Sequence, residues 1–472
     1  MTEKTISTDD KTSANPNIRD SHLSQEASLV APSFIPLIPM LVFFVLFLGT
    51  GIYYSMTGVQ DAFYQLPAPI AILPAIALSI MLAKDSVEKS IKHLLAGMGD
   101  SNIIAMCLIY LLAGAFGALT TQIGAVSAVV NLCLDLIPAS FILPGLFLIA
   151  AVVSFSMGTS MGTLAALAPI GVGLTESLQV SPALVAGILL SGAMFGDNLS
   201  VISDTTIAAI RTQGATATDK LKQNARWAIP AAIVTVVLYS IFAGEGEAVT
   251  IGSYEWYNLI PYAFILGLAL LGWNVFVILT VGIVVAIFIG LLGGGFSAEA
   301  GVAVTMYQGF SSMQEIFLLS MLVGGLGGLI KAQGGLQWLV QQISRLFSVA
   351  KSQLRAKLAI LSTTAVTNLA IANNTVSIVL TGDVTHELAR KSRVLPKQSA
   401  SLVDIGACSI QGVLPYGAQC LLLGASFSIS PLAPGQYAWY LPILLIIALV
   451  GTVKTRTIEV DDTAAEVKTS EA

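Results

Sequence analysis

From Phe34 to Val453 the sequence is a succession of apolar segments, each close to the roughly 20 residues that a helix needs to cross about 30 Å of hydrocarbon. No other feature constrains the fold as strongly, and it predicts an all-α, polytopic membrane protein. Composition agrees. Of 472 residues, 55% are hydrophobic and 10% charged, against about 25% charged in a soluble chain. A mean hydropathy of +0.83 leaves too little polar surface to solvate a globule of this size. The net charge is −5, and no large basic cluster lies outside the apolar segments, which argues against a nucleic-acid partner. Cys107, Cys133, Cys408 and Cys420 sit inside apolar stretches without CxxC spacing, and the histidines at 22, 93 and 386 are scattered. Neither a zinc site nor a disulfide framework is suggested. The first 33 residues lack the order of a signal peptide. They read as a disordered cytoplasmic tail, as does the stretch from Lys454 to Ala472.

Lysine and arginine set the orientation, because they accumulate in cytoplasmic loops. The 22 basic residues fall in a few clusters: the N-terminal tail, Lys84–Lys92, Arg211–Arg226, Arg345–Lys357, Arg390–Lys397 and the C-terminal tail, with Lys331 alone. Placing all clusters in the cytoplasm puts both termini there. Spans are then expected at 34–56, 65–83, 103–120, 181–210, 227–243, 258–272, 274–294, 314–331, 400–424 and 437–453. An acidic outer loop at 244–257 carries Glu245, Glu247 and Glu255.

Two regions do not fit as simple spans. Residues 139–178 have no basic residue at either end, and 358–389 have basic clusters at both. Small and polar residues interrupt each: Ser156, Gly158, Thr159, Ser160, Gly162 and Thr163 in the first, Asn368, Asn373, Asn374, Thr375 and Ser377 in the second. Non-helical backbone at membrane depth survives where protein or a watery cavity satisfies it, so two re-entrant hairpins are expected, one from each side. An internal match supports duplication. At an offset of 210, Leu112, Gly114, Gly117, Leu119 and Gly124 meet Leu322, Gly324, Gly327, Leu329 and Gly334. The same order of elements follows each segment, with opposite expected orientation. The expectation is two inverted-topology repeats of about five membrane elements each, with discontinuous helices. Its boundaries are a tail at 1–33, a first repeat at 34–215, a cytoplasmic loop plus linker helix at 216–256, a second repeat at 257–430, and a last helix and tail at 431–472.

The densest polar run in an apolar setting is Gly196-Asp197-Asn198-Leu199-Ser200-Val201-Ile202-Ser203-Asp204-Thr205-Thr206. On a continuous helix Asp197 and Asp204, seven apart, would share a face. A carboxylate in hydrocarbon is costly and marks an ion or proton pathway. Hard cations prefer carboxylate, hydroxyl and carbonyl oxygens, and Asp197, Asn198, Ser200, Ser203, Asp204, Thr205 and Thr206 supply them. A carboxylate that holds either a proton or a cation, but not both, is the core of antiport. Asp204 has a second reading, as a helix cap near Arg211. Asp404 opens the matching second-half span, followed by Gln411, Tyr416 and Gln419, and is either part of the site or a surface residue. Lys331 either snorkels to the surface or meets a substrate anion. No P-loop pattern, metal motif or nucleophile–base pair appears, so neither an enzyme nor an ATP-driven pump is expected.

The run FGDNLSVISDTT resembles the hallmark G-D-x-x-S-P-x-S-D-T-T of the NhaC-type sodium/proton antiporter family, matching at Gly196, Asp197, Ser200, Ser203, Asp204, Thr205 and Thr206, with Val201 in place of the proline. GTSMGT at 158–163 is similar to the family's G-T-S-W-G-T, with Met161 in place of the aromatic residue. The resemblance implies a multi-pass protein of the bacterial inner membrane that exchanges cytoplasmic Na⁺ for external H⁺. Those two would be its only ions, without a cofactor. The bilayer and a small cation would be its partners, and a homodimer stays open. The alternative on the same fold is a Na⁺- or H⁺-coupled carrier of a small organic solute, an amino acid or carboxylic acid. The hairpin amides Asn373 and Asn374 suit such a solute.

Overall fold

The computed structural model describes residues 31–57, 59, 65–242, 253–296, 301–347 and 352–454. Among the described residues there is no strand. The expected tail segments at 1–30 and 455–472, and the outer-loop positions Glu245 and Glu247, lie outside them.

The first half runs through α1 (Ile38–Met56), α2 (Ala68–Met81), α3 (Val87–Met98), α4 (Ser101–Gln122) and α5 (Ala125–Leu136). It continues through α6 (Ala139–Met157), α7 (Ser160–Leu178), α8 (Pro182–Leu199), α9 (Asp204–Gln213) and α10 (Ala217–Phe242). The second half holds α11 (Ile260–Leu270), α12 (Val275–Leu292), α13 (Val302–Ser312), α14 (Gln314–Ala332) and α15 (Gly335–Phe347). Then come α16 (Gln353–Ile371), α17 (Asn374–Lys391), α18 (Pro396–Gln411), α19 (Ala418–Phe427) and α20 (Tyr440–Lys454). Among the described residues, seven helices are long and apolar enough to cross a membrane, or eight if the pair bent by 120° at Leu136–Phe141 counts as one span. Apolar side chains point outward as lipid requires: on α12, Val284, Phe288 and Leu291 lie exposed at helical spacing.

Local sequence explains the boundaries. Ser86, Asp100, Asn274 and Ser352 cap α3, α4, α12 and α16 with side-chain oxygens on backbone N–H groups, the usual work of such residues. Pro182 and Pro396 open α8 and α18, where a missing N–H costs nothing. Two departures from expectation follow from chemistry of the same kind. The span expected at 65–83 is a shorter helix, Ala68–Met81, interrupted at Ile72 ahead of Pro74. The span expected from 227 begins ten residues earlier, at Ala217, because Lys220, Gln223, Asn224, Trp227, Ala228 and Ala231 form one buried stripe at helical spacing.

The two halves have parallel parts. Helices α6, α7, α8 and α9 begin at 139, 160, 182 and 204, and α16, α17, α18 and α19 at 353, 374, 396 and 418, each 214 further on (353 − 139 and likewise for the rest). Both hairpin tips share one geometry. Gly158 and Ala372 are left-handed at φ 68° and 53°. The next residues, Thr159 and Asn373, are extended and cap the second arm through their side chains. Helix α9 packs on α17, and α19 on α7, so each interrupted helix leans on the hairpin of the other half. Elsewhere α4 crosses α13, and α14 crosses α3, at glycines. A Cβ on Gly114 would lie 2.2 Å from the Gly309 carbonyl oxygen, and one on Gly97 2.5 Å from that of Gly324. Tyr110 and Ser320, a pair separated by the same 210 residues as the internal match, share a hydrogen bond of 3.2 Å.

Candidate ion-binding site

The helix of α8 stops at Leu199, and residues 200–203 are non-helical before α9. Serines favour such breaks because their hydroxyls compete for backbone partners. Here the carbonyl oxygen of Ser200 accepts from Thr206 Oγ1 at 2.7 Å. The tip of the first hairpin closes on the break: a Cβ on Gly158 would meet Ile202 and the backbone N of Ser203.

Asp197, at the end of α8, is 3% exposed. Its carboxylate accepts from Ser203 Oγ at 2.6 Å and from Ser160 Oγ at 3.0 Å. Among the described residues it has no cationic partner within ion-pair distance. Ser203 Oγ also lies 2.9 Å from Thr205 Oγ1. A chain of polar groups leads from Asp197 into the second half. Gln419 Nε2 donates to Ser160 Oγ at 3.2 Å, and Gln411 Nε2 donates to Gln419 Oε1 at 3.1 Å. The Gln411 Oε1 atom is buried with no hydrogen-bond partner among the described residues.

The break corrects the shared-face expectation for Asp197 and Asp204. Asp204 is the first residue of α9 and is exposed. It does not cap that helix; its Oδ2 accepts from Thr375 Oγ1, at the tip of the second hairpin, at 2.6 Å.

A second polar centre lies between α8, α10 and α18. Asp404 is not at the surface: it is fully buried and forms an ion pair of 2.8 Å with Lys220, itself 1% exposed. Lys220 Nζ also donates to Thr206 Oγ1 at 2.5 Å. Asn224 Nδ2 donates to Asp404 Oδ2 at 2.8 Å and to the Asn198 carbonyl oxygen at 2.7 Å. Asn198 donates in turn to the Tyr440 hydroxyl at 3.2 Å. A buried ion pair is sustained by its hydrogen bonds as much as by its charge, and this one is surrounded by amides and hydroxyls.

The remaining expected residues divide. Asn368, Asn374 and Ser377 form a network inside the second hairpin: Asn368 Nδ2 donates to Asn374 Oδ1 at 3.0 Å, and Ser377 Oγ to Asn368 Oδ1 at 3.2 Å. Asn374 reaches Cys408 Sγ at 3.5 Å. Thr163 bonds back to the Thr159 carbonyl at 3.0 Å within the first tip. Ser156 is half-buried on the first arm, and Tyr416 turns away to donate to the Leu369 carbonyl at 2.6 Å. The sequence reading placed Lys220 in a solvated basic loop and passed over Asn224 and Gln213. Gln213 is buried too, donating to Thr385 Oγ1 at 2.9 Å and accepting from Ser399.

Interrupted membrane helices meeting hairpin tips around a buried, unpaired carboxylate define a secondary active transporter rather than an enzyme. The chain belongs to the Na⁺/H⁺ antiporter family, which it matches over residues 12–244 and 247–453. It is a multi-pass membrane antiporter. Among its relatives, the malate-2H⁺/Na⁺-lactate antiporter of Bacillus subtilis (strain 168) is 22% identical over 453 residues, 86% of this chain and 93% of the relative. The Na⁺/H⁺ antiporter NhaC of the same organism is 24% identical over 419 residues, 82% of this chain and 91% of the relative. The arginine/ornithine antiporter ArcD of Halobacterium salinarum is 24% identical over 288 residues, 56% of this chain and 59% of the relative.

Proposed function

We propose that the protein exchanges cytoplasmic Na⁺ for external H⁺ on Asp197. The observation that carries this reading is a buried carboxylate held by two hydroxyl donors, with no Lys or Arg paired to it among the described residues. An uncompensated buried charge costs several kcal/mol, so Asp197 requires either a proton or a cation. Ser160 and Ser203 can turn their oxygen lone pairs to an entering Na⁺, and Gln419 and Gln411 extend the polar chain behind Ser160. Asp404 already has its cation in Lys220 and serves as framework. Exposed Asp204, tied to the second hairpin, takes the approaching ion.

The topology proposed with it has two inverted repeats with 139–178 and 358–389 as re-entrant hairpins, both termini cytoplasmic, in a bacterial inner membrane. The matched starts 214 residues apart and the matched tips support the duplication. The basic clusters support the sidedness.

A second reading is coupled exchange of an organic acid, with the coupling ion held on the same carboxylate. The relative named for malate and lactate and a basic cavity beside the second hairpin favour it. Proteoliposomes with an imposed Na⁺ gradient and a lumenal pH dye test the first reading. It predicts proton movement opposite to Na⁺ with no organic solute present. No pH change until malate or lactate is added would contradict it and select the second.

A further inference from the structure

Two cavities flank the helices that cross at glycines, and they are built in parallel. One, of about 610 Å³, is lined by Gly114, Gly117 and Thr121 of α4 and by Gln308, Gly309 and Ser312 of α13. The other, of about 440 Å³, is lined by Gly324, Gly327 and Lys331 of α14, by Ala96 and Gly97 of α3, and by Asp100 at the start of α4. Lys331 thus stands where the first cavity has Thr121, 210 residues earlier. Each cavity is closed on one side by a hairpin: α7 for the larger, the tip and second arm of α16–α17 for the smaller.

Their chemistry differs. Among the described residues, the only charged side chain lining the larger cavity is Glu176. The smaller one holds Lys84, Lys89, His93 and Lys331 against Asp85 and Asp100. Lys89 is paired with Asp85 at 3.2 Å, and Asp100 caps α4 through the N–H of Asn102. Lys84 and Lys331 have no ion-pair partner among the described residues. The hairpin adds Asn373, 7% exposed. Its Oδ1 accepts from the Val376 N–H at 3.0 Å, which leaves its Nδ2 as a donor.

We propose that this smaller cavity binds a small organic carboxylate, with the Lys331 and Lys84 ammonium groups and Asn373 Nδ2 as its donors. The proposal rests on the second functional reading, which it supplies with a site. Two free ammonium groups beside a buried amide donor suit an anion and repel a cation. The volume falls within the roughly 300–1,000 Å³ usual for small-molecule sites. The hairpin tip also supplies a coupling route. Asn373 faces this cavity, and Thr375, two residues on, holds Asp204 at 2.6 Å. A carboxylate that draws Asn373 toward it shifts the same tip that touches the cation path.

The test is calorimetric titration of the purified full-length protein in detergent with malate, lactate and inorganic phosphate. Agmatine, a cation without a carboxylate, serves as the control and chloride holds the ionic strength constant. At least one carboxylate should bind, weakened by roughly tenfold or more in Lys331→Gln and retained in Lys331→Arg. Equal affinity in wild type and Lys331→Gln overturns the proposal, as does binding of agmatine alone. Phosphate binding more tightly than both carboxylates overturns it in favour of a phosphate or lipid-headgroup site. Wild-type protein that exchanges Na⁺ for H⁺ but binds no carboxylate also overturns it, and leaves the antiport reading intact.

Discussion

The two interrupted helices share one backbone plan and differ in charge. Both start with proline, follow a hairpin with a left-handed tip, and resume 214 residues apart, at Asp204 and at Ala418. At that spacing Asp197 corresponds to Gln411, Asp204 to Ala418 and Thr205 to Gln419. The first break carries carboxylates and hydroxyls, whereas the second carries amides. Asp404, the buried acid of the second half, corresponds to Leu190 and already has Lys220. The two halves therefore share a frame of helices, and the proposed ion chemistry falls on one of them. The hydrogen-bond chain Gln411–Gln419–Ser160–Asp197 joins the neutral break to the charged one.

The largest effect should come from uncoupling the framework acid of the second half. Lys220→Met leaves Asp404 buried and unpaired, which costs about 3–5 kcal/mol. Correctly inserted protein, followed by immunoblot and size-exclusion chromatography, should nearly vanish. Lys220→Met combined with Asp404→Leu, which gives the second half the residue found at 190 in the first, should recover much of it. Equal loss in the double variant would mean that Asp404 itself is needed, and that the asymmetry is misdrawn.

A smaller effect is expected at the exposed acid. Asp204→Asn makes the first break more like the second and weakens the contact with Thr375. A hydrogen bond to a charged group is worth about 1.5–3 kcal/mol, and exposure reduces it here. The apparent KM for Na⁺ should rise by several-fold, up to about tenfold, with the expression level unchanged. An unchanged KM would remove Asp204 from the ion path. The smallest effect is expected for Asp135→Asn. This side chain is exposed at the end of α5, and exchange rates should stay within error of wild type. A clear loss there would show that acidic residues outside the first break share the work.

Much of this contrast was legible in the chain. The break at 200–203 could be read because two aspartates and four hydroxyl residues in one apolar span have no packing role to play. The two helix pairs showed in the small and polar residues that interrupt 139–178 and 358–389. The Lys220 centre was hidden by its neighbours. Lys222 and Arg226 are exposed and made the segment look solvated, yet Lys220, Gln223, Asn224 and Trp227 sit on one helical face. A period search through the basic run would have found that stripe. Contacts such as Thr375 with Asp204, 171 residues apart, depend on how hairpins and broken helices exchange between halves. No local pattern encodes that.

The most direct test of the charge asymmetry is Na⁺-driven lumenal pH change in proteoliposomes holding equal amounts of wild type, Asp197→Asn and Gln411→Ala. Asn keeps the volume and hydrogen-bonding reach of Asp197 but can neither neutralise a cation nor hand over a proton. The account predicts no Na⁺-dependent signal from Asp197→Asn and a reduced but measurable signal from Gln411→Ala. Wild-type exchange by Asp197→Asn, with Gln411→Ala inactive, would contradict it and move the exchange chemistry to the second break.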